Sequence, residues 1–131
     1  MSETVTLTMT REHAHVVQDA CEMLMRMKLG QTSFPTELML GGIGNPKYDV
    51  NEFCRRRDIA ENVLMAFLRA TGNVEDSEKD RVEQMAYEVW GTIRHALWWA
   101  DHPAGTDSLS VARQMPLSES GLDMPKCEVR G

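Results

Sequence analysis

The sequence predicts an α+β fold: three main helices and a small antiparallel β-sheet formed by the N- and C-terminal strands. Three observations carry this. Both ends of the chain alternate polar and apolar residues, the period of a half-buried strand. Three long stretches between them repeat apolar residues at spacings of three and four, the period of an amphipathic helix. A two-stranded ribbon on its own is marginal, so the two ends must dock on the helices or on a second subunit.

The elements follow in order, within a single domain covering residues 1–131. In 4–9, Val5, Leu7 and Met9 fall on one side of an extended chain, which reads as the first strand. Thr10 can cap a helix over 11–29, with Glu12 near its positive end and the stripe Val17, Ala20, Leu24 and Met27. Gly30 supplies a left-handed stop. The loop 31–48 holds Phe34-Pro35, Gly41-Gly42 and Asn45-Pro46, with room for one helical turn at 36–40. Asp49 followed by Glu52 opens a helix over 50–70 with the stripe Ile59, Val63, Phe67 and Ala70, and Gly72 ends it. Ser77 with Asp80 opens the longest stripe, Val82, Met85, Ala86, Val89, Ile93, Leu97 and Ala100, in a helix over 77–100 stopped by Pro103. The rest, 101–131, is an irregular tail in which Lys126-Cys127-Glu128-Val129 alternates again as the C-terminal strand.

Composition excludes several classes. With 42% hydrophobic and 26% charged residues the chain is ordinary for a globular domain and is not disordered throughout. A net charge of −6, from 20 acids against 14 bases, argues against a coat for long DNA or RNA. It leaves room for a small anion held by a few arginines. Cys21, Cys54 and Cys127 are odd in number and widely spaced, so the expectation is a reduced, cytoplasmic protein. No long apolar run predicts a membrane span, and 1–10 lacks the pattern of a signal peptide.

Trp90, Arg94 and Trp98 stand four residues apart and so share one face of their helix, with Gly91 leaving space beside them. Two indoles flanking a guanidinium suit a nucleotide: the rings stack on a base and the arginine takes a phosphate. The same spacing also suits a packed aromatic cluster with one cation–π contact. Arg26 and Lys28 at the end of the first helix satisfy its dipole, whereas Gln31, just past the stop, is freer to face a ligand. Arg55, Arg56 and Arg57 with Arg69 make either a basic spot for a phosphate or a solvated face. His95, next to Arg94, can donate to an anion or close the core edge. His13, His15, His95 and His102 have no metal-site spacing. There is no GxSxG, GxxxxGK[ST] or GxGxxG, and Gly41-Gly42-Ile43-Gly44 lacks the strand and helix of a phosphate loop. No enzyme activity, metal or cofactor is therefore expected.

Thr6-Leu7-Thr8-Met9-Thr10-Arg11-Glu12-His13-Ala14, with Arg26 through Gly30-Gln31, resembles the opening of a family of small phage proteins. Ala86-Tyr87-Glu88-Val89-Trp90 and Ile93-Arg94-His95-Ala96-Leu97-Trp98-Trp99 resemble its second signature. Met115-Pro116-Leu117-Ser118 and Leu122-Asp123-Met124-Pro125-Lys126-Cys127-Glu128-Val129 resemble its C-terminal end. That family is the Thoeris anti-defence sponges, and the middle of the chain, 34–73, carries little of the resemblance. The resemblance implies an α+β protomer in dimers or higher homo-oligomers. It also implies that cyclic ADP-ribose or cyclic oligonucleotide signals, of the Thoeris and CBASS kinds, are bound without cleavage. Arg26 and Arg94 become phosphate ligands in pockets built by more than one chain, and Trp90 or Trp98 a base platform; Gln31 and His95 join the expected ligand contacts from their positions in the sequence alone. The expected function is immune evasion in the host bacterial cytoplasm, with no long nucleic acid and no membrane as partner. The alternative is a phage inhibitor that blocks a host protein through a Met- and Trp-rich surface.

Overall fold

The computed structural model describes residues 3–41, 47–72, 81–105 and 110–131. Among these the chain is helical: α1 (Arg11–Lys28), α2 (Ser33–Leu40), α3 (Val50–Thr71) and α4 (Arg81–Asp101), with one 3₁₀ turn at Val111–Arg113. The boundaries follow local chemistry. Thr10 Oγ1 accepts the His13 N–H at 3.2 Å and an Asp49 carboxylate oxygen accepts the Glu52 N–H at 2.7 Å, so α1 and α3 open on capped first turns. α1 ends in a Schellman turn: Gly30 has φ 74°, its N–H donates to Met27 O at 3.0 Å, and the Gln31 N–H donates to Arg26 O at 2.8 Å. The expected opening of the last helix at Ser77 and Asp80 lies outside the described residues, as do Gly42, Ile43, Gly44, Asn45, Pro46 and Asn73.

The predicted antiparallel sheet is absent, and this corrects the α+β expectation to an all-α fold among the described residues. Both 3–10 and 123–131 run without regular structure, and no backbone hydrogen bond joins them. Val5, Leu7 and Met9 stay exposed. Alternation specifies which side chains share a face, but a strand also needs a partner edge, and neither end finds one among the described residues. The predicted loop 31–48 is corrected as well, because it contains α2. Pro35 sits in the first turn, where no N–H is needed, so Phe34-Pro35 starts a helix instead of breaking one.

α1 lies antiparallel on α4. Arg11 Nη1 meets Asp101 Oδ1 at 2.8 Å at one end, and Met25, Ala86 and Trp90 form the buried cluster further along. Cys21 and Leu29 pack against that cluster, so the α1 core face is Cys21–Met25–Leu29. The predicted stripe is displaced from it: Ala20 and Leu24 are exposed. The tail runs back along α4. Trp99 Nε1 donates to Arg113 O at 2.9 Å, and Pro116 crosses at Gly91, where an added Cβ would stand 2.7 Å from the proline ring. Further along, Glu88 accepts the Glu119 and Ser120 N–H groups at 2.7 and 2.9 Å and the Ser120 hydroxyl at 2.7 Å.

α2 bridges α1 and α3, and it is through α2 that α3 makes most of its helix packing. Phe53 and Leu68 are buried on α3, but its predicted core stripe faces outward, with Ile59, Val63 and Phe67 at 53, 67 and 55% exposure. No helix among the described residues is long and apolar enough to cross a membrane.

Candidate functional site

The site builds from the junction of α1 and α2. The Schellman turn folds the chain back at Gly30, which brings Gln31 over the last turn of α1. Arg26 Nη1 donates to Gln31 Oε1 at 2.8 Å, while Arg26 Nε and Nη2 donate to Glu22 Oε2 at 3.3 and 3.2 Å. An open cleft of about 580 Å³ lies here, lined by Glu22, Arg26, Gln31, Ser33, Phe34 and Glu37 among others.

α2 begins in this cleft with an unfinished first turn. Thr32 makes no side-chain cap, and among the described residues the Ser33 and Phe34 N–H groups find no acceptor. Free donors at a helix N-terminus, backed by the dipole, attract an anion. The cleft also holds two carboxylates. Glu22 is held by Arg26, and Glu37 meets Arg57 Nη1 at 3.6 Å across from α3. Carboxylates beside an arginine and free amides suit a ligand that carries both a phosphate and hydroxyl donors, which describes a ribose phosphate. The Phe34 ring adds a flat apolar wall.

The α4 residues are arranged differently. Trp90 is 8% exposed and belongs to the core cluster with Met25 and Ala86. The Arg94 guanidinium stacks 4.1 Å from the centroid of the Trp90 ring. Trp98 takes other partners: it stacks on His102 at 4.4 Å and meets Trp99 edge-on at 4.9 Å. One indole, not two, therefore contacts the guanidinium, and Pro116 occupies the space beside Gly91. Arg94 makes no hydrogen bond or ion pair with the described residues, and its Nε is buried without a partner, as is Trp90 Nε1. Gln18 Oε1 is also buried and unpartnered. Counting inward seven residues from the Arg11–Asp101 bridge on each helix places Gln18 and Arg94 at one level of the antiparallel pair.

Arg26 and Gln31 thus come together, whereas Arg94 stands apart from them, about 12 Å along α1 at helical rise. Trp90, Arg94 and Trp98 line neither that cleft nor a second groove of about 510 Å³ between α4 and the tail. His95 lines the second groove and donates through Nδ1 to Ala112 O at 3.3 Å, beside Thr92, Trp99 and Cys127. Burial pushes the Cys127 thiol up from its ordinary value.

The basic spot on α3 is already compensated. Arg55 and Arg56 both donate to the Glu52 carboxylate, at 2.7 to 3.0 Å. Those bonds, Arg55 first and then Arg56, hold Glu52 down at about 2. Arg56 also covers the Tyr48 ring at 4.6 Å, and Arg57 reaches Glu37 and Asp58.

Sequence reasoning missed Ser33, Phe34, Glu22 and Glu37. The available signal was Thr32-Ser33 two residues before Pro35, a helix start with proline in its first turn. It also missed Glu88, a carboxylate 2% exposed on the face where the tail docks. No group of three His, Cys, Asp or Glu among the described residues could hold a metal ion. Comparison with known protein families, with curated proteins and with solved structures finds no match to this chain.

Proposed function

We propose that the protein is a non-enzymatic sponge that binds a small cyclic nucleotide in the cleft between α1 and α2. The observation that carries this reading is the convergence of Arg26, Gln31 and the open N-terminus of α2 on one volume of about 580 Å³. A ligand phosphate would take the Ser33 and Phe34 amides and share Arg26 with Glu22. Ribose hydroxyls would donate to the carboxylates, and a base would lie on Phe34. Arg94, a half-buried guanidinium stacked on Trp90, lies outside this cleft, as do His95 and Trp98, so none of these four side chains would touch a ligand bound there.

The resemblance of both chain ends and of 86–99 to the anti-defence sponges supplies the class of ligand and the setting: a phage protein in the bacterial cytoplasm that lowers a defence signal. Sequestration needs only mass action. Signal held in a preformed cleft falls below the threshold of its effector. The rival reading, a Met- and Trp-rich surface that blocks a host protein, has no exposed tryptophan to offer, since Trp90 is buried and Trp98 and Trp99 are half-buried.

Thermal melting with cyclic ADP-ribose isomers and with cyclic di- and trinucleotides tests the proposal. Ligand at 100 times its Kd should add about 2.7 kcal/mol to stability. Arg26→Ala should remove that shift without changing the melting point of the free protein by more than a few degrees. Ligand recovered after heating should be chemically unchanged. If no cyclic nucleotide raises the melting point, the reading is wrong.

A further inference from the structure

We infer that the groove of about 510 Å³ between α4 and the tail is a second ligand site, built for a small aromatic carboxylate. It shares no lining residue with the cleft between α1 and α2. Its size falls within the roughly 300–1,000 Å³ of small-molecule pockets, enough for one or two rings and too little for a docked helix.

One wall is an aromatic corner that hydrogen bonds fix in place. Trp99 Nε1 donates to Arg113 O at 2.9 Å, and His95 Nδ1 donates to Ala112 O at 3.3 Å. The two rings meet edge-on with centroids 6.3 Å apart. Rings held this way lose little freedom when a ligand packs on them. Ala96 and Ala100, one turn apart on the same helix, leave beside them the space that a larger side chain would fill.

The opposite wall comes from 125–129. Among the described residues no hydrogen bond or ion pair joins 123–131 to the rest of the chain, and the contact of Arg130 with Glu128 is internal to it. The segment therefore borders α4 across an open groove without a polar tie. A flat ring between the two walls would bury apolar surface on both and fasten the segment to the helix.

Two polar features select an acid. Lys126 is the one Lys, Arg, Asp or Glu that lines the groove, and it makes no hydrogen bond or ion pair with the described residues. An ammonium beside an apolar groove that holds no carboxylate favours an anion. Thr92 lines the groove too, is 4% exposed, and has a buried hydroxyl with no partner among the described residues. Buried polar groups are nearly always paired, so an unpaired hydroxyl in the wall of a groove marks a place for an outside acceptor. A carboxylate offers the acceptors that both groups need.

Titration calorimetry of the full chain with naphthoate, and in parallel with the neutral naphthamide, tests this. A ligand of this size should bind with a Kd of about 0.1–1 mM, and the amide about tenfold more weakly. Lys126→Met keeps the stem and removes the charge, and should weaken naphthoate about tenfold. Ala100→Leu should abolish binding by filling the groove. Both positions are exposed, so helical circular dichroism should stay unchanged in both variants. With naphthoate at about ten times its Kd, trypsin cleavage after Lys126 should slow roughly tenfold. No heat up to about 10 mM acid overturns the proposal. Naphthamide binding as tightly as naphthoate, wild-type affinity in either variant, or unchanged cleavage overturns it too. Arg26→Ala should bind naphthoate as the wild type does, and Ala100→Leu should keep the nucleotide melting shift, so either proposal can fail without the other.

Discussion

α3 and α4 are almost equal in length, 22 and 21 residues, and both carry an apolar stripe visible in the sequence. Their fates differ. α4 is buried on most of its circumference between Glu83 and Leu97, by α1 on one side and by the tail on another. α3 keeps its stripe in solvent and reaches the rest of the chain chiefly through α2, which has eight residues. The contrast shows that an amphipathic pattern states a need for a partner and does not name one. For α4 the partners come from the same chain. Its burial even extends to Glu88, because tail amides compensate the carboxylate. For α3 none of the described residues covers the stripe.

Substitutions sharpen this contrast, beginning with the largest effect. Trp90→Ala on α4 should cost about 3–5 kcal/mol in urea unfolding, because a buried indole leaves a cavity. Phe67→Ala on α3 should cost less than about 0.5 kcal/mol, because more than half of its surface already stands in solvent. Equal costs would erase the distinction between the helices.

Glu88→Ala should cost about 2–3 kcal/mol and expose the tail to limited proteolysis, because three donors lose their acceptor. The pH dependence has a definite sign. Burial alone would raise the Glu88 carboxyl, but the bonds from Ser120 and Glu119 outweigh it and hold the group below its ordinary value of 4.5. Its folded value is depressed, so its stabilisation is complete above the usual carboxylate range and is lost as pH falls through the lowered value. Trp99 fluorescence should report tail release at acid pH in the wild type, and Glu88→Gln should flatten that transition.

Gly91→Ala should cost about 1–3 kcal/mol by forcing Pro116 away from α4, readable as tail proteolysis with the helix content kept. The smallest effect belongs to Glu52→Gln. This carboxylate is exposed and its bonds to Arg55 and Arg56 are screened, so melting at neutral pH should barely move and any change should vanish in high salt.

Legibility followed the range of the interaction. The caps at Thr10 and Asp49 and the stops at Gly30 and Gly72 were readable, because each involves atoms a few residues apart. The pairing of Arg26 with Gln31 spans five residues, and the Gly30 stop made it foreseeable. The tail contacts at Glu88 and Trp99 span 31 and 14 residues and left no local mark. The Trp90–Arg94 contact followed from their spacing of four residues, but Trp98, placed one turn further on, chose His102.

By itself, then, the sequence determined where helices start and stop and which residues of each are apolar, since capping and periodicity are properties of neighbouring residues. Only the tertiary structure decided which apolar face is covered. α1 presents Cys21 and Met25 instead of Ala20 and Leu24, α3 turns Ile59, Val63 and Phe67 outward, and the two alternating ends find no strand to pair with. The physical reason is that burial depends on the area another segment can bring, and that area is set by how the whole chain packs.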